Sequence, residues 1–272
     1  MAIHPTAIVS PDAEIGNNVE IGPYAIIEGD VKIGDDCYID AHVKIGQYTT
    51  IGPRCRIYLG AFIGAEPQDH RFYKGIESYT EIGSDTVLRE YVTIHRPPFE
   101  FQKTVVGSHV LLMSFVHVGH DTVIADSVTI ANNTVLAGHV QIARGAVLSA
   151  DIRVHQFCRI GSVAMIAAAA TVLQDVPPFC LTNHEGRVAG VNTIGLRRIG
   201  MASAPRLALR NAVKTYFFKG LNGKNALEEI QSTEMLPEVQ HFVNFIKESS
   251  RGIVSGTARN TAADGAGEPS AE

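Results

Sequence analysis

An aliphatic residue, Ile or Val, opens every block of six from Ile3 to Ile57 and again at Ile63. The fifth residue of each block is small or β-branched, from Ala7 and Ala13 through Cys37, Thr49 and Cys55 to Ala61. Glycine often fills the second position (16, 22, 34, 46, 52 and 64). The phase is lost after Ile63 and returns at Ile82, Leu88 and Ile94. It is lost once more, then holds from Val106 to Val172. A period of six excludes an amphipathic α-helix, whose apolar face recurs at three and four. It predicts a short strand, a turn and another strand. Three blocks closing one triangular coil give about eighteen residues per turn, which puts residue n below n+18 at the strand spacing of a sheet, about 4.8 Å. Such a stack is a parallel β-helix. The first-position aliphatics point inward, the small fifth residues fit the corners, and Asn and Gly supply turn conformations with positive φ.

The two breaks in phase predict loops at about 65–81 and 96–105, within a coil domain spanning 1–190. The repeat stops at Pro177 and Pro178. Helical periodicity begins near Ser203, a candidate N-cap, breaks at Asn222-Gly223 and continues to about Arg251. This defines a C-terminal α-helical domain over 191–252. The remainder, 253–272, is small, polar and low in complexity, and reads as a disordered tail.

Composition narrows the possibilities. Trp is absent and aromatics are 7%, so the core must be built from Ile, Val, Leu and Ala. A net charge of −5 offers no general basic field, which argues against nucleic acid as a partner. The first residues have neither a cationic start nor an apolar block, so the cytoplasm is the expected compartment. The most apolar run, 163–173, is too short to span a bilayer, and no stable membrane insertion is expected. The four cysteines lack CxxC spacing. Cys37 and Cys55, eighteen apart, should stack as reduced core fillers.

The stretch FVHVGHDTV (115–123) places titratable groups in the coil. In the block VGHDTV, His120 is third and Asp121 fourth. Eighteen residues on lie Gly138 and His139, and eighteen further lie Gln156 and Phe157, with His155 adjacent. One outward-facing corner therefore collects His120, Asp121, Gly138, His139, His155 and Gln156, with His117 on the strand leading in. Solvated turn residues are the bland alternative. Asn132 and Asn133, in a matching turn without chemistry around them, are explained by positive φ alone. Imidazole accepts protons at neutral pH, and a neighbouring carboxylate fixes its tautomer and stabilises the imidazolium. No Ser or Cys in the cluster offers a nucleophile. The arrangement suits direct activation of a substrate hydroxyl or amine, with the Gly138 N–H facing a developing oxyanion.

The motifs HVGHD (117–121), IANNTVLAGHV (130–140), VHQFCRIG (154–161), QDVPP (174–178) and GVN…GLRR (190–198), with IGAEPQD (63–69) opening the first loop, occur in this order. Together they resemble the acyl-carrier-protein-dependent UDP-N-acetylglucosamine O-acyltransferases of lipid A synthesis, over about residues 1–252. The resemblance implies a left-handed coil and transfer of a (3R)-hydroxyacyl group from acyl carrier protein to the glucosamine 3-hydroxyl of the UDP-sugar. It also implies a homotrimer with sites between subunits, and neither cofactor nor metal. Its general base falls on His120, the base's partner on Asp121 and the oxyanion donor on the Gly138 amide. Its sugar-nucleotide contacts fall on Gln68, Asp69, His117, His139, His155, Gln156, Asn192 and Arg198. Arg71 stands where Lys is usual, and a guanidinium fork is not interchangeable with an ammonium. Ala168 replaces a Gly that helps measure acyl length, next to Met165. Ile194 and Ile199 replace a Glu and an Arg. Arg206, Arg210 and Lys214 recur every four residues and form a candidate docking face for the carrier protein.

Other functions fit the coil. An acetyl-CoA-dependent hexapeptide acetyltransferase would share the His base, and a non-catalytic paralogue would only bind. A zinc protein would bind the metal through three histidines across a subunit boundary, and His117, His120, His139 and His155 supply enough imidazoles. Within the favoured class, the residues do not distinguish a 3-hydroxyl from a 3-amino acceptor.

Overall fold

The computed structural model describes residues 2–257. The expected hexads appear as short strands, mostly two residues long, in three parallel sheets of 11, 9 and 8 strands. The chain visits the first, second and third sheets in turn and forms a left-handed parallel β-helix. Pairing confirms the spacing of eighteen: Ala2 pairs with Glu20, Glu20 with Tyr38 and Tyr38 with Arg56. Inside, Ile27, Ile39, Ile45, Ile51, Ile57 and Ile63 are almost completely buried. From Ile21 on these ladders exclude water, while Ile3 at the open end stays 38% exposed, and each buried aliphatic side chain contributes roughly 1.5–3 kcal/mol.

Turn chemistry differs in part from expectation. The fourth residue of nearly every hexad has positive φ, but it is often neither Asn nor Gly: Tyr24 (58°), His42 (56°), Phe115 (62°) and Val163 (56°) adopt it. This conformation costs a non-glycine residue about 1–2 kcal/mol. In return, it aims the residue's N–H at the coil below, as His42 N donates to Pro23 O (3.0 Å) and His139 N to His120 O (2.9 Å). The second-position glycines serve packing instead. A Cβ on Gly46 would lie 2.4 Å from Gly64 O, and one on Gly34 would lie 2.6 Å from Pro53 N.

The spacing changes only where sequence phase was lost. Arg56 pairs with Val87, 31 residues on, and Val87 with Leu111, 24 on, before eighteen returns at Leu111 and Thr129. Both insertions leave the turn between the second and third sheets, after strands Phe62–Ala65 and Thr93–His95. The two loops therefore emerge from the same corner as the 119–122 turn.

Near the prolines the coil ends, but the first sheet continues. Strand Cys180–Thr182 pairs parallel with the coil through Met165 and Leu181, and Val188–Val191 returns antiparallel. Four helices follow: α1 (Thr193–Arg198), α2 (Ser203–Phe218), α3 (Gly223–Gln231) and α4 (Pro237–Lys247). The N-cap of α2 is Ala202 without a side-chain bond, because Ser203 already lies inside the first turn. The chain breaks after α2 at Gly220 (φ 74°), while the Asn222 side chain caps α3 by accepting from Asn225 N. The helices are fastened to the coil through Arg159, which pairs with buried Asp175 (3.1 Å) and donates to Phe245 O (2.8 Å). Ser249 donates to the same carboxylate (2.8 Å).

Residues 253–257, expected within a disordered tail, are ordered. Ile253 bridges to Asp175 and Gly256 to Val188, so residues 253–257 add a backbone rung to the coil end. The unpaired N–H and C=O groups of that edge account for it. The rest of the expected tail, 258–272, lies outside the described residues. Cys37, Cys55, Cys158 and Cys180 are free and buried. No helix among the described residues is long and apolar enough to cross a membrane.

Candidate active site

The corner between the second and third sheets brings most of the expected residues together. His120 Nδ1 lies 2.7 Å from Asp121 Oδ2, whose other neighbour is His139 Nε2 at 3.7 Å. The imidazoles of His120 and His139 meet edge to face at 5.2 Å, and His139 stacks on Phe157 at 4.5 Å. Asp121 takes the left-handed turn conformation (φ 59°). Its N–H would normally reach the coil below, but here an insertion replaces that turn. It donates instead to Thr104 Oγ1 (2.8 Å), and Thr104 Oγ1 in turn donates to His95 O (2.7 Å). Buried Thr104 thus anchors the Asp121 backbone to the end of the second loop.

The His120 ring lies over Gly138: a Cβ there would approach its Cε1 and Nε2 to 2.7 Å. No acceptor for the Gly138 N–H occurs among the described residues. From the first loop, Asp69 reaches to 3.8 Å from His120 Nε2. Arg71 grips Asp69 through two bonds, Nη2 to Oδ2 at 2.6 Å and Nε to Oδ1 at 3.0 Å. These bonds hold the Asp69 carboxyl well below the usual carboxylate range.

His117 points along the second sheet. Its Nδ1 is 2.9 Å from Thr93 Oγ1, and its ring lies 4.9 Å from that of His95, which contacts Glu66 O (2.6 Å). Burial, with His95 beside it, pushes the His117 imidazole down to about 4. Burial lowers His95 and His139 too. Gln68 is exposed and shares a cavity wall with Thr93 and His95. His155 and Gln156 sit one coil above His139, both exposed, with His155 Nδ1 turned to Gln156 O (3.2 Å).

A stability prediction follows from His117. Its unfolded-state value is about 6.5. Between there and about 4, the unfolded chain binds a proton that the native chain does not. Stability therefore falls as pH drops through this window. Thermal melts from pH 7 to 4.5 should show a smaller loss for His117→Gln than for the wild type. Parallel losses would show that His117 is not held neutral.

Within one chain, His117 faces Thr93 and His155 is turned to its own neighbour. The compact donor group is instead His120, Asp121 and His139, with ligand atoms within 4.8 Å of one another.

Other expected residues lie on different corners. Ala168 occupies the turn between the first and second sheets, and Met165 lies on the strand entering it. Asn192 is at the corner between the third and first sheets. Its Nδ2 donates to Val163 O (2.9 Å) and its Oδ1 caps α1 through Gly195 N (3.0 Å). Arg198 is exposed on α1, and Arg210 and Lys214 are exposed on α2 beside half-buried Arg206.

Comparison with known proteins assigns the family. The model for bacterial transferase hexapeptide (six repeats) matches residues 12–47 and 103–138, and that for UDP N-acetylglucosamine O-acyltransferase, domain 2, matches 175–254. An acyl-[acyl-carrier-protein]–UDP-N-acetylglucosamine O-acyltransferase from Halorhodospira halophila is 42% identical over 255 residues, 93% of this chain and 98% of its own. The chain belongs to this O-acyltransferase family. A Synechocystis member is 42% identical over 203 residues, 74% of this chain and 73% of its own. The UDP-N-acetylglucosamine acyltransferase of Bacteroides fragilis superposes with TM-score 0.90 at 40% identity, covering 93% of this chain and 99% of that one. The Acinetobacter baumannii structure gives 0.89 at 37% identity, with 93% and 100% covered.

Within this acyltransferase, Ile194 and Ile199 are apolar yet 64% and 56% exposed, so neither departure is compensated by burial. Sequence reasoning missed Thr93, His95 and Thr104, and gave Phe157 its place eighteen beyond His139 without a role. The other three depend on loop lengths that no period supplies.

Proposed function

We propose that this acyltransferase moves a (3R)-hydroxyacyl group from acyl carrier protein to the glucosamine 3-hydroxyl of UDP-N-acetylglucosamine, the first step of lipid A synthesis, in the cytoplasm. The observation carrying the mechanism is the 2.7 Å contact between His120 Nδ1 and Asp121 Oδ2. A proton on Nδ1 donated to that carboxylate leaves the Nε2 lone pair free for the acceptor hydroxyl. As Nε2 takes the hydroxyl proton, the oxygen attacks the thioester carbonyl. The oxyanion formed faces the Gly138 N–H. Collapse breaks the C–S bond, and the imidazolium returns its proton to the departing thiolate.

The distribution of the remaining residues supports a cyclic trimer. One chain carries the base on one corner, Ala168 and Met165 at a second, and Asn192 with Arg198 at a third. Three copies side by side would bring the edge of one chain against the base of the next. Arg206, Arg210 and Lys214 then serve as the carrier-protein face, where an acidic partner would meet uncompensated charge.

Purified protein with (3R)-hydroxyacyl carrier protein and UDP-N-acetylglucosamine should yield the 3-O-acyl ester. Turnover only with acetyl-CoA would reject this donor. Amide formation from the 3-amino UDP-sugar, without ester, would reject this acceptor.

A further inference from the structure

The second loop carries aromatics that the mechanism above does not use. At its base the two loops are knitted firmly. Buried Arg96 donates to Ile76 O (2.6 Å) and stacks on Phe72 (5.0 Å), while Ser78 Oγ donates to Pro97 O (2.6 Å). Toward the tip, Phe101 N–H donates to Glu77 O (2.8 Å), and the Arg71 guanidinium lies 4.9 Å above the Phe99 ring. The edge of that same guanidinium forms both bonds to Asp69. Its plane is thus held from two directions, by an aromatic face and by a carboxylate fork, and lysine offers neither a plane nor a fork. The gripped carboxylate lies 3.8 Å from His120 Nε2, where the acceptor hydroxyl has to arrive.

We infer that Phe99 is a positioning residue: through Arg71 it fixes the Asp69 carboxylate beside the reacting nitrogen of His120. Phe101, two residues on and 70% exposed, makes no comparable side-chain contact with an aromatic or cation among the described residues and is the control. The catalytic consequence rests on the reaction proposed above; the mechanical consequence does not.

The test is a double-mutant cycle of Phe99→Ala and Arg71→Lys in the full-length enzyme, read in two ways. Amide hydrogen exchange of the free protein reports the clamp, because Arg71 N–H donates to Asp69 Oδ1 (2.9 Å) and Phe72 N–H to Asp69 O (3.0 Å). Each single change should speed exchange over residues 69–73 by about fivefold, the scale of one exposed cation–π contact. The double variant should be no faster than the quicker single one, and Phe101→Ala should match the wild type. In turnover, Phe99→Ala should lower kcat/KM for the UDP-sugar by a similar factor, through KM rather than kcat. Wild-type exchange in Phe99→Ala, or additive effects around the cycle, would overturn the inference. So would faster exchange in an active enzyme whose KM is unchanged. A wild type inactive toward the UDP-sugar would instead reject the proposed reaction, with the exchange cycle still deciding the clamp.

Discussion

Replacing His120 with alanine is expected to lower kcat by about a hundredfold or more, the range that a positioned general base contributes, while the fold survives. The imidazole is a turn side chain outside the aliphatic ladders, flanked by Val118 and Ile124, which are fully buried and unaffected. Its removal would take away the proposed proton acceptor and leave Asp121 facing His139 at 3.7 Å. His139 does not replace it. Its ring is stacked on Phe157 and disfavours protonation through burial. The acceptor KM should change little, since Asp69, Arg71 and Gln68 remain. Circular dichroism and thermal melting establish that the variant is folded, and steady-state rates with a saturating acyl donor give kcat. A rate within threefold of wild type would remove His120 from the role of base.

The coil was legible because its information is local and repeated. Each hexad satisfies its backbone groups with the next coil, so a period of six and a rise of eighteen dictate which residues stack. That rule alone placed Asp121 beside His139 and Gly138 above His120. It failed at the insertions, where Thr93 and His117 pair 24 apart and Phe62 and Thr93 pair 31 apart. The approach of Asp69 to His120 and the anchoring of Asp121 by Thr104 are contacts made by those aperiodic segments. The family resemblance supplied Asp69, but not what holds it. The turn conformation was read too narrowly, because Tyr, His and Phe accept positive φ when the geometry makes an inter-coil bond. The ordered 253–257 rung was hidden for another reason: backbone pairing to a sheet edge makes little demand on side-chain type.

The sharpest test of the stacking at the site is Gly138→Ala. The backbone there needs no positive φ, so alanine fits the turn itself. The three atoms nearest the new methyl all belong to one group, Cε1 and Nε2 of His120 at 2.7 Å and Nδ1 at 3.1 Å. The ring has to swing away, which stretches its 2.7 Å contact with Asp121 and displaces the accepting lone pair. A shift of about 1 Å in a reacting group costs on the order of 10²-fold. We therefore expect kcat to fall by about one to two orders of magnitude, with the melting temperature little changed. The N–H proposed to face the oxyanion is retained, so the expected loss comes from His120. This makes a second expectation: in a His120→Ala background the methyl finds open space, and adding Gly138→Ala lowers the rate no further. Full activity in the single variant would mean that the ring is free to move without consequence. A further loss in the double variant would show that residue 138 acts independently of the imidazole above it.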